Sequence, residues 1–132
     1  PLSAALYAAL NVASMQALVG SRIYDDIPRN PTYPLVWFEV QEPGDMRGFG
    51  TGGFPETSIR VHALTTYQGE KQGQAILAKA IELLRDASLT VTGYTQAGGV
   101  FYDETVVLRD QEIEGVKVQE NVAIFRTYLK EA

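Results

Sequence analysis

No cysteine occurs in the 132 residues, so neither a disulfide framework nor a thiolate metal site is available to the chain. Histidine is nearly as scarce. His62 stands alone, which excludes a two-histidine metal site within one subunit. No apolar run approaches the roughly 18 residues needed to cross a bilayer, and no membrane partner is expected. No charged-then-apolar leader opens the sequence, and the start at Pro1 predicts that an initiator Met was removed or left out of the numbering. Positive charge is also in deficit. The formal net charge is −5, which argues against a free-standing nucleic-acid binder, since such a protein carries a basic patch to displace counterions. An acidic wall instead suits a channel past which DNA slides without being gripped.

What is present is an ordinary globular composition, 45% hydrophobic and 20% charged, in a length that predicts one domain. The chain is organised around residues 56–85. Ile59, Val61 and Ala63 alternate with Ser58, Arg60 and His62, the period of a half-buried strand. After Thr65 and Thr66 the period changes. Gly73, Ile76, Leu77, Ala80, Ile81 and Leu84 recur at helical spacing, opposite Glu70, Lys71, Lys79, Glu82 and Arg85. A strand leading into an amphipathic helix buries that stripe most simply on its own sheet. Ile59, Val61 and Ala63 should therefore meet the helix, leaving Ser58, Arg60 and His62 turned towards solvent, a neighbouring subunit or a channel.

Before this unit, Ser3 reads as an N-cap for the Ala-rich run ending at Leu10, with Leu2 and Tyr7 placed for a hydrophobic staple. Ser14 reads as the cap of a second short turn that stops at Gly20. Residues 22–34 should run extended, because prolines 28, 31 and 34 forbid helix. Leu35–Gln41 is a strand by its aromatic and β-branched content, apolar on both sides at its start. Residues 43–55 hold five glycines in a stretch that cannot pack a core, and predict a long flexible loop. Met46, Arg47, Phe49 and Phe54 are candidates there for contacts with a partner or subunit, as are Ser58, Arg60 and His62 beyond it. Downstream, 105–109 and the long apolar run 116–129 predict an antiparallel pair turning at Gly115. Apolarity on both sides of the second strand predicts helices on one face and a neighbouring subunit on the other. The fold class is α+β: a mainly antiparallel β-sheet with two principal helices packed on it.

The search for reaction chemistry ends with little. Gly48 to Gly53 lacks the following helix and Lys-Ser/Thr of a phosphate cradle, and Pro55 and a strand follow it instead. Ser58 and His62 share a strand face, without a placed acid or oxyanion donors to make a triad. Asp25, Asp26, Asp103, Glu104, Asp110, Glu112 and Glu114 follow no EF-hand spacing and read as solvated carboxylates. Asn30-Pro31-Thr32 has proline in the middle and is no glycosylation acceptor. No catalytic residue, cofactor site or metal site is assigned. The function this sequence predicts is a surface.

The ordered series 2–10, then Ala17 to Tyr24, then Tyr33 to Phe38, the strand 58–63 with its helix, and a final hairpin ending at Phe125-Arg126-Thr127-Tyr128 resembles a known group. It is similar to the small tail-completion or tail-terminator proteins of long-tailed bacteriophages and phage-like gene transfer agents. The resemblance covers nearly the whole chain and rests on order and spacing, since no single motif is a catalytic signature. It departs at Ala63-Leu64, where relatives often carry Trp-Ala, and in its unusually glycine-rich loop. It implies a structural, non-enzymatic virion protein, a ring-forming subunit assembled in the host cytoplasm and placed at the neck of the particle. The partners it implies are five further copies of itself, a tail tube protein and a head-completion or stopper protein, with DNA passing through the channel without specific binding. Two other readings are a different neck component, such as a head–tail joining or stopper protein, and a small dimeric α+β enzyme using His62.

Overall fold

The computed structural model describes residues 2–26, 29, 31–41, 56–66, 71–96, 98–113 and 116–131. Its elements in chain order are α1 (Leu2–Leu10), α2 (Ala13–Val19), β1 (Ile23–Tyr24), β2 (Leu35–Gln41), β3 (Glu56–Thr65), α3 (Lys71–Leu84), β4 (Tyr94–Gln96), β5 (Phe101–Ile113) and β6 (Val116–Glu131). The six strands form one sheet, in which β3 lies between β2 and β6 and pairs with both antiparallel. β1 adds to β2 in parallel, and β4 and β5 follow one another along β6, at Glu131–Leu129 and then from Arg126 to Val116. The α+β class with a mainly antiparallel sheet is what the sequence pattern predicts.

All three helices pack on one face. The helical stripe of α3 buries Gly73, Ile76, Leu77, Ala80 and Leu84, and this is the spacing that the sequence shows. Beneath it lie Val36 and Phe38 from β2, Ile59, Val61 and Ala63 from β3, and Ala123 and Phe125 from β6. Leu2, Leu6 and Leu10 recur every fourth residue along α1, and Met15 and Val19 do so along α2, so both short helices turn their apolar side into the same core. Phe38 and Phe125 are the largest of the fully buried side chains, and removing either ring is a loss of about 3–5 kcal/mol.

Several local expectations are corrected. Ser3 is not an N-cap, since α1 already begins at Leu2, whose burial draws the first turn onto the core. Ser14 does not cap α2 either. Val12 stands at the cap with extended φ and ψ of −122° and 164° and no side-chain bond, and its carbonyl accepts from Gln16. Gly20 does end α2, at φ 64°, donating its N–H to the Gln16 carbonyl. Three helices stand among the described residues, the short α2 following α1 after an 81° bend. No single helix there is long and apolar enough to cross a membrane. Residues 43–55, the turn at Gly115 and residues 67–70 before α3 lie outside the described residues.

Candidate interaction surface

The pleat sends alternate residues of β3 to opposite sides, so Ser58, Arg60, His62 and Leu64 share the face away from α3. Register then decides what surrounds them. Trp37 of β2 and Val122 of β6 lie beside His62, and Val106 of β5 continues the row. The indole and imidazole stack nearly parallel, with centroids 3.9 Å apart and planes 11° apart. His62 is only 7% exposed, well inside the solvent-facing position that its strand pattern predicts, because Trp37 covers its ring.

Both ring edges of His62 point at carboxylates. Nε2 lies 3.2 Å from Glu39 Oε1, and the tautomer that carries its proton there donates to that oxygen. Nδ1 lies 3.6 Å from Glu120 Oε2, too far for a hydrogen bond, so that contact is electrostatic and acts only on a protonated ring. Glu39 also faces Arg60 across the strand pair at 3.9 Å, with both side chains largely solvated, so this exposed pair adds little stability. Ser58, next to Gln41 and Arg126 in register, is two strand rows away from His62.

A second cluster stands where β5 begins. Arg126 Nε lies 3.3 Å from Asp103 Oδ1, and its guanidinium sits 5.6 Å from the centre of the Phe101 ring. Phe101 in turn meets Tyr128 edge-on at 5.8 Å. The structure thus brings Ser58 and Arg60 near Arg126, Phe101 and Tyr128, and surrounds His62 with Trp37, Glu39 and Glu120. Of those six neighbours Phe101 and Glu120 were not singled out from the sequence, whereas Trp37, Arg126 and Tyr128 lie in stretches that carry the family resemblance. The one local signal was Arg126, which interrupts the apolar alternation of the last strand. Met46, Arg47, Phe49 and Phe54 lie outside the described residues. Among the described residues no group of three His, Asp or Glu side chains is arranged to hold a metal ion.

The arrangement is a helical layer on one face of a single sheet, whose other face is buried at the Leu35, Leu64 and Val118 end and carries aromatic rings and ion pairs beyond it. Residues 4–125 match a family model of tail completion proteins, so the chain is a structural tail-completion component of a tailed particle and not an enzyme. The family is that of the tail completion protein gp17, and the chain belongs to it. The fold also resembles that of a chain in a solved structure of the virion of a native gene transfer agent (GTA) particle. The TM-score is 0.77 at 24% sequence identity, over 99% of this chain and 95% of that one, a likeness of fold. No curated protein matches the chain. Family membership removes the reading of His62 as the base of a small enzyme.

Proposed function

We propose that this chain is the subunit of a six-fold ring that caps the head-proximal end of the tail tube. The ring stops tube polymerisation and gives the head-completion or stopper protein a surface on which to dock, while DNA passes through its central hole. The particle is a phage or a gene transfer agent. The observation that carries this reading is the presence of two unlike open surfaces on one tail-completion subunit: the outward sheet face with Phe101 and Leu108, and the outer side of the helical layer with Tyr7. A closed ring is built from a heterologous contact, which needs two different patches on every copy. The net charge of −5 agrees with a conduit that does not grip the phosphate backbone.

Ser58 and Arg60, with Met46, Arg47, Phe49 and Phe54 of the preceding segment, are proposed to serve contacts with the tube or a neighbouring copy, and His62, covered by Trp37, to support that surface from behind. Shortening residues 44–54 to a tight turn is expected to preserve folding and impair docking. The ring reading itself is tested by electron microscopy of tails made without this protein. Abnormally long tubes lacking heads are expected. Tubes of normal length that merely fail to join heads would make it a stopper or joining protein and overturn the terminator reading.

A further inference from the structure

The face of the sheet turned away from α1, α2 and α3 is buried at one end, where Leu35, Leu64 and Val118 pack with Tyr24, Tyr33 and Trp37, and is open along the β5–β6 hairpin. On the β5–β6 hairpin it exposes 42% of Phe101 and 37% of Leu108, beside half-buried Val106 and Ile124. These apolar side chains share one face, interrupted by exposed Glu104, and exposed large apolar groups on a structural subunit fit a contact surface. Resting on the ring reading above, we propose that the helical layer of a second copy of this chain covers this face, giving each contact the order helix, sheet, helix.

Charge and shape favour this occupant. Glu39, Glu56, Asp103, Glu104 and Glu120 give the sheet face an excess of carboxylates over Arg60 and Arg126. Two such faces packed together would set carboxylate against carboxylate, a like-charge contact that selects against that pairing. The outer side of the helical layer has no such excess of carboxylates. Residues 2–20 carry no charged side chain at all and expose Tyr7 (41%) with Ala4, Ala8, Ala13 and Ala17, short enough for close approach. On α3 and just past its end the exposed cations Lys71 and Arg85 stand against one exposed carboxylate, Asp86, while the Glu82 carboxylate is held by Lys79 at 2.8 Å. An uncharged patch then meets the carboxylate-bearing face without setting like charges against each other. Because the two patches differ, the contact is head-to-tail and propagates around a ring.

The lack of cysteine makes the test direct. Particles are assembled with Leu108→Cys, Ala8→Cys or both, and with Thr92→Cys, in an exposed turn, as control. In the particle both interface cysteines are expected to react with a maleimide about tenfold more slowly than the control, because thiol reactivity follows access. A short bismaleimide is expected to join Ala8→Cys of one copy to Leu108→Cys of the next, giving a ladder of up to six copies. Phe101→Cys and Ala4→Cys replace them if either variant is not incorporated. A ring shown to be six-fold by amine cross-linking, in which either cysteine reacts at the control rate, overturns this inference and leaves the ring reading standing. The same holds if Leu108→Cys joins only to itself, or if it is shielded by the tube or a head protein while Ala8→Cys stays open. Amine cross-linking that stops at two copies overturns the ring reading and this inference with it.

Discussion

Gly73 and Asn121 form the tightest fit between the sheet and α3. A Cβ at Gly73 would stand 3.0 Å from both Cγ and Nδ2 of Asn121, whose side chain is fully buried, and neither of its amide atoms has a partner among the described residues. Alanine gains about 1 kcal/mol of helix propensity over glycine, yet overpacking a closed site costs about 1–3 kcal/mol, so Gly73→Ala should be net destabilising. Asn121→Ala in that background should recover most of the loss in urea unfolding, a coupling of about 0.5–3 kcal/mol between touching residues. Simple additivity of the two changes would sink this account. His62 makes a different prediction. Losing its stack on Trp37 and its bond to Glu39 should lower stability by about 1–3 kcal/mol in His62→Ala, while particle assembly stays largely intact. Failure to assemble with normal folding would give His62 a direct part in the contacts.

The connection after α3 shows the same economy at the level of elements. The chain turns through Asp86 at φ 60°, donates the Asp86 N–H to the Val100 carbonyl at 2.8 Å, and receives Val100 N–H on the Ala87 carbonyl at 3.2 Å. Gly99 passes so close that an added Cβ would stand 2.8 Å from the Asp86 carbonyl carbon, a backbone atom that cannot swing aside. Gly99→Ala should therefore pry β5 from the end of α3 and cost about 1–3 kcal/mol or more, read as a lower midpoint in thermal unfolding. Elements long enough to show a period were legible in the sequence, as in β3 and the stripe of α3. β1 and β4 were not, because two and three residues cannot display an alternation. The start of β5 at Phe101 was hidden by the register shift between Tyr102 and Glu104, which breaks the pattern where the strand begins. The shared face of Ser58, Arg60 and His62 followed from alternation alone. Its neighbours on β2 and β6 did not, because register across strands so distant in sequence is set by the whole sheet and not by any local run.

For the molecule as a whole, the sheet has one face packed by helices and another that is buried only at one end, and the hairpin end of the second carries the consequences for assembly. Glu104→Lys is expected to leave the unfolding midpoint within about 0.5 kcal/mol of wild type, as for an exposed side chain, while weakening ring formation by light scattering. An unchanged hexamer would remove this end of the hairpin from the contact. The order of strands also fixes when the chain acquires its structure. β3 lies near the middle of the sequence, yet its pairing with β6 joins Glu56 to Tyr128 and Thr65 to Gln119, so half of its ladder waits for the last strand described. During synthesis, helices and the β2–β3 pair can form early, but β3 then offers an open edge until residue 128 has left the ribosome. Nascent chains stopped near residue 110 should accordingly bind chaperones or precipitate, whereas chains that include all of β6 should not. The subunit becomes competent to join its neighbours only at the moment its own sheet closes, which keeps unfinished chains out of the particle.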